Sequence, residues 1–140
     1  MNAPQPLLTA THDVANQVPP LAGHNLYATD AALREAVARD GAAASAEWLD
    51  ARGAELGSAQ MQQWADQANR VPPTLRLFDT AGRRLDVVEF HPAYHELMAY
   101  LKRHGATAGP WADPAPGAHV RRAALYVMFA QVEDGTLCPT

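Results

Sequence analysis

Cysteine is all but missing from this chain. Cys138 is its only one, so no intramolecular disulfide can form and a reducing compartment suits it best. Positive charge is not in excess either: 11 Lys and Arg stand against 15 Asp and Glu, a formal net charge of −4. No whole-chain field therefore draws the protein to nucleic acid or to an anionic membrane. No apolar run approaches the roughly 20 residues that cross a bilayer. The opening MNAPQPLLTATHDVANQVPP has neither a basic n-region nor a long apolar h-region, which excludes a secretory signal there. These absences together predict a cytoplasmic protein. G-x-S-x-G, Walker and G-x-G-x-x-G motifs are missing too. Gly105, Gly109 and Gly117 punctuate a loop but follow no strand, so they make no dinucleotide-binding turn.

What is present reads as one mainly α domain, with about five helices in a bundle-like arrangement and one β-hairpin at about 74–90. The 140 residues, 48% of them hydrophobic, suffice for a modest core. Residues 1–24, with Pro4, Pro6, Pro19 and Pro20, predict an extended or mobile arm ahead of a domain over 25–140. Leu7, Leu8, Val18 and Leu21 would be unfavourable to expose together, so the arm is either a frayed end or a strap for a neighbouring subunit. Asp30 or Thr29 is placed to cap a helix from Ala31 to about Asp40, and Gly41 ends it. Ser45 caps a second helix with Leu49, Gly53 and Leu56 on one side. Ser58 starts a third with Met61, Trp64, Ala65 and Ala68 on one face, closed by Val71-Pro72-Pro73. Trp48 and Trp64 sit at core spacings and are read as packing residues, not as platforms for a flat ligand.

Thr74–Phe78 and Leu85–Phe90 have strand character around Asp79-Thr80-Ala81-Gly82, which favours a type I turn. A lone hairpin is marginal in water, so this one is expected to lie on the helices. His91 and Pro92 then open a helix with Tyr94, Leu97, Met98 and Leu101 on one side, and Lys102 and Arg103 complement its dipole before Gly105. A Pro/Gly loop over 105–117 has one large anchor, Trp111. The last helix, about Ala118 to Glu133, contains AALYVMFA at 123–130, whose unbroken apolarity predicts burial on every side.

No catalytic, cofactor-binding or metal-binding residue can be assigned from these patterns. His91 and His95 are four apart with Glu96 adjacent, but HPAYHE is not H-E-x-x-H, no third ligand is placed, and His91 reads as a cap. Cys138 has no His partner or basic neighbour to make it a nucleophile. The pairs Arg83-Arg84, Lys102-Arg103 and Arg121-Arg122 lie on different elements of an acidic chain and read as solvated faces rather than one phosphate-binding surface.

Three stretches carry a resemblance: HNLYATDAALREAV at 24–37, FDTAGRRLDVVEFHPAYHELM at 78–98, and RRAALYVMFAQVEDGTLCPT at 121–140. In this order and spacing they resemble the N-terminal region of AidB-like acyl-CoA dehydrogenases, the adaptive-response flavoproteins. The strand–HPA–helix junction after the arginine pair is the most specific phrase. The resemblance implies a helical domain of a homotetrameric FAD oxidoreductase, with flavin, catalytic glutamate and DNA-binding surface in regions outside this chain. It implies a structural and subunit-interface role, with the remainder of the polypeptide and its sister subunits as partners and no activity in this domain alone. The alternative is a free-standing interaction module that assembles through Leu125, Tyr126, Val127, Met128 and Phe129.

Overall fold

The computed structural model describes residues 11–12 and 15–139. Within them run six α-helices: α1 Ala31–Arg39, α2 Ala46–Leu56, α3 Ala59–Arg70, α4 Pro92–Arg103, α5 Gly109–Ala112 and α6 Ala118–Ala130. An antiparallel pair, β1 Thr74–Phe78 and β2 Arg84–Glu89, separates α3 from α4. Of the arm, Leu7 and Leu8 lie outside the described residues, while Val18 and Leu21 are exposed.

Local rules set most helix ends. Asp30 caps α1 by accepting from Leu33 N at 2.9 Å, while Thr29 instead donates to Asn25 O. Ser58 caps α3 through Met61 N, and His91 caps α4 through its Nδ1, which accepts from Ala93 N at 3.1 Å. Ser45 precedes α2 without a side-chain capping bond, because a 3-10 turn over Ala43–Ser45 already leads into the helix.

The core is a single cluster in which Leu49, Leu56, Leu97, Leu101, Leu125, Met128 and Phe129 are wholly buried. α4 packs on α3, and α6 lies against α1, α2 and α5. Trp48 and Trp64 are half-buried against this cluster, as packing residues are. α2 also holds the segment before α1, through Leu26 N donating to Gly53 O at 3.1 Å. A Cβ at Gly53 would come within 2.5 Å of Tyr27 N, so only glycine permits this approach. After α6, the buried Glu133 carboxylate accepts from Gly135 N at 2.7 Å and Thr136 N at 2.6 Å, folding the tail back so that Leu137 joins the core.

Besides the Ser45 cap, three expectations fail. The hairpin does not lie on the helices: every residue of both strands is exposed. α3 and α4, its neighbours in the chain, pack directly on one another instead. Trp111 is not a buried anchor for its loop: it is exposed, with its ring edge-on to His119 at 5.2 Å and Arg122 over it at 5.4 Å, and Pro110 is the buried residue of α5. The apolar helix is not buried all round, and it ends at Ala130, short of Glu133. Ala124, Leu125, Met128 and Phe129 face the core, while Ala123, Val127 and Ala130 form an exposed stripe. Leu125, Met128 and Phe129 are thus occupied within the chain's own core, which removes them from any assembly surface.

Candidate functional site

The densest polar constellation joins α2 to α4, and it is absent from every sequence motif above. Glu55 accepts from Arg52 Nη2 at 2.7 Å through Oε1 and from the Tyr100 hydroxyl at 3.0 Å through Oε2. His104 Nε2 stands 3.9 Å from the same Oε2, and its ring lies 4.4 Å from that of Tyr100. Arg52 lies over Trp48 at 5.3 Å with its Nε buried and unbonded, and Arg121 lies over the same indole at 5.5 Å. The only hint in the sequence is spacing, with Arg52 and Glu55 three apart and Tyr100 and His104 four apart on their helices.

Electrostatics follow from this packing. Burial, then the Glu55 charge and hydrogen bond, push the Tyr100 hydroxyl above its ordinary range and keep it a donor. Burial and the nearby Arg52 charge hold the His104 imidazole below its usual 6.5, against the opposing pull of Glu55. Partial burial raises the Glu55 carboxyl, but the Arg52 and Tyr100 hydrogen bonds outweigh it and leave the group below 4.5. A low-pKa carboxylate, a protonated tyrosine and a neutral histidine form a stable tie between helices, with no free nucleophile among them.

The other candidates are dispersed. His91 spends its Nδ1 on the cap, while His95 points outward with its ring edge-on to Phe90 and Tyr94. Among the described residues no group of three or more His, Cys, Asp or Glu side chains could hold a metal ion. Cys138 is exposed. Arg83 pairs with Asp79 at 3.2 Å and Arg84 with Asp86 at 2.6 Å. Arg122 donates to Ala106 O and to the Tyr126 hydroxyl, tying the 105–117 loop to α6. Arg83, Arg84 and Arg122 therefore serve local contacts, and Lys102 and Arg103 are exposed at the end of α4. Among the described residues no helix is long and apolar enough to cross a membrane.

A groove of about 580 Å³ runs between α1 and α2, floored by Tyr27, Ala31, Val37 and Ala46. Its charged lining is Glu35, Glu47 and Asp50 against Arg34 alone. A flavin dinucleotide brings a diphosphate, which seeks cationic or N–H donors. The residues here have the wrong sign for it.

Fold and cluster together define a helical domain in which a half-buried polar contact ties helix to helix. The chain belongs to the family described as the adaptive response protein AidB N-terminal domain, whose model matches residues 16–140. It is 46% identical over 130 residues to "Putative acyl-CoA dehydrogenase AidB" of Escherichia coli (strain K12), covering 92% of this chain and 24% of that protein. It thus spans about a quarter of the length of that curated relative. Two solved structures share the fold. Bd2924 in its apo-form matches with a TM-score of 0.70 and 22% identity over 79% of this chain and 23% of its own. Caenorhabditis elegans ACDH-11, solved in complex with C11-CoA, matches with a TM-score of 0.70 and 18% identity over 93% of this chain and 23% of its own.

Proposed function

We propose that this chain is the N-terminal helical domain, residues 25–140 behind an arm over 1–24, of a longer FAD-dependent acyl-CoA dehydrogenase-like protein. The family match over residues 16–140, at a quarter of a relative's length, is the observation that carries this reading. Within that protein the domain has a structural and subunit-interface role, and its partners are the remaining polypeptide and the other copies of a homotetramer. On this reading the whole protein is cytoplasmic and acts in an adaptive response, the term the family's description uses. Flavin supplies the hydride chemistry in such enzymes, and protein groups supply base and binding, so a domain with neither is inert by itself.

Titrating the isolated chain with FAD tests the assignment of roles. The expected outcome is no saturable quenching of flavin fluorescence and no dehydrogenation of acyl-CoA. Flavin retained at near-unit occupancy through purification would overturn the inert-domain reading.

A further inference from the structure

The groove between α1 and α2 is there because the two helices offer alanine to one another. Ala31 and Ala38 on α1, with Ala43 and Ala46 at the entry to α2, line it with methyl groups too short to close the gap. On α1 the lining residues Ala31, Arg34, Glu35 and Ala38 recur at i, i+3, i+4 and i+7, a single face of the helix. From Ala31 to Ala38 that face is about 10 Å long at a rise of about 1.5 Å per residue. The volume of about 580 Å³ falls within the roughly 300–1,000 Å³ of small-molecule sites.

A polar group stands open in this apolar space. Tyr27 is only 4% exposed, yet among the described residues its hydroxyl makes no hydrogen bond. Nor is that oxygen sealed from the groove, since Arg52 Nε is the one sealed side-chain polar atom among them without a partner. Burial raises the Tyr27 phenol above its ordinary range, with Arg34 opposing the shift and Asp50 adding to it. Both charges line the groove, so the hydroxyl faces the same space. A hydroxyl so nearly buried is costly unless what fills the groove completes it.

The rim has a sign. Glu35, Glu47 and Asp50 stand against Arg34 alone. Among the described residues Glu35 and Glu47 enter no ion pair, and Asp50 accepts from the neutral Asn25 amide at 3.2 Å. Glu47 and Asp50 are three apart on α2, which puts their carboxylates on one face. A primary ammonium brings three donors and no acceptor, the complement of two carboxylates and a hydroxyl.

We propose that the groove binds a small organic cation, an apolar body about 10 Å long with a primary ammonium at one end. The body lies on the methyls of Ala31, Ala38 and Ala46, and the ammonium is held by Glu47, Asp50 and the Tyr27 hydroxyl. A basic helix of a protein partner has the same charge chemistry, but the lined face is about two turns long. That is a small part of the roughly 800 Å² each partner contributes to a standard interface, so the groove suits the small molecule better.

Isothermal titration of the 140-residue chain with n-hexylamine at neutral pH tests it, since an alkylamine is fully charged there. Saturable single-site binding is expected, weakening as salt is added. Hexan-1-ol, with the same apolar body and no charge, should bind roughly 10-fold more weakly or worse, and hexanoate should not bind. Glu47→Gln should weaken hexylamine roughly 10-fold. Ala38→Leu, a helix-compatible change at an exposed position, should fill the groove and abolish binding, while Glu96→Gln on α4 leaves it unchanged. Near-ultraviolet signals from Trp48 and Trp64 verify that each variant is folded. Absence of saturable binding would overturn the proposal, and equal affinity for hexan-1-ol would overturn the cation. Binding that survives both Glu47→Gln and Ala38→Leu would overturn the location. A basic amphipathic peptide that displaces hexylamine and binds far more tightly would overturn the small molecule in favour of a protein partner. None of these outcomes touches the family assignment.

Discussion

The helical body and the hairpin use the same aliphatic residues to opposite ends. In the body, Leu49, Leu56, Leu97, Leu101 and Leu125 are sealed from water. In the hairpin, Leu75, Leu77, Leu85, Val87 and Val88 stand in it. Residue type does not separate the two groups. Position in the fold does: α3 and α4 pack on each other, and no residue of the ribbon between them is buried. Burial is thus settled by what the rest of the fold still has to offer.

Substitutions should break along this line. Phe129→Ala, in the centre of the core, is expected to cost about 3–5 kcal/mol, read as a lower urea midpoint. Gly53→Val should cost about 1–3 kcal/mol by forcing Tyr27 off α2, and a crystal structure of the variant would show the segment before α1 displaced. Tyr100→Phe keeps the ring but removes the donor to Glu55, a loss of about 0.5–1.5 kcal/mol. Leu77→Ser on the hairpin should change the urea midpoint of a dilute, monomeric sample by no more than about 0.5 kcal/mol. A Leu77→Ser cost rivalling that of Phe129→Ala would abolish the distinction between the two regions.

Acid should act on the body through the Glu55 cluster. His104 has a folded-state pKa below its unfolded value, so the unfolded chain binds that proton more readily. Its contribution is complete above 6.5 and is lost as pH falls toward the folded value. Glu55, also lowered, contributes above 4.5 and is lost further down. Both signs agree: stability falls on acidification, first through His104 and then through Glu55. Thermal melts between about pH 7.5 and about pH 5 should show this drop, and His104→Gln should flatten its upper part.

Features that were legible in the sequence obey rules acting over a few residues. The caps by Asp30, Ser58 and His91, the stop at Val71-Pro72-Pro73 and the turn from Asp79 to Gly82 all appear as read. In that turn Gly82 N donates to Asp79 O and Gly82 has a φ of 78°. Illegible features depend on distant neighbours. Glu55 and Tyr100 are 45 residues apart, and neither helix pattern announces the other. The run at 123–130 has no charged residue to mark its outer side, so the exposure of Ala123, Val127 and Ala130 left no trace in the pattern. Trp111 suggested a buried anchor by size alone, yet it meets α6 only at the surface, through His119 and Arg122, while Pro110 is the residue buried and Arg122 bonds Ala106 O.

The pairing of Thr74 with Glu89 brings the two ends of the ribbon together. Directly paired residues of an antiparallel ladder sit about 4.5–5.5 Å apart at their Cα atoms, a gap that a very short linker spans. The hairpin is therefore excisable, an insertion closed at its own base. A chain in which a brief glycine linker joins Pro73 to Phe90 should fold the same helical body. In that form the architecture separates into a part that holds itself together and a cassette that can be deleted, lengthened or exchanged.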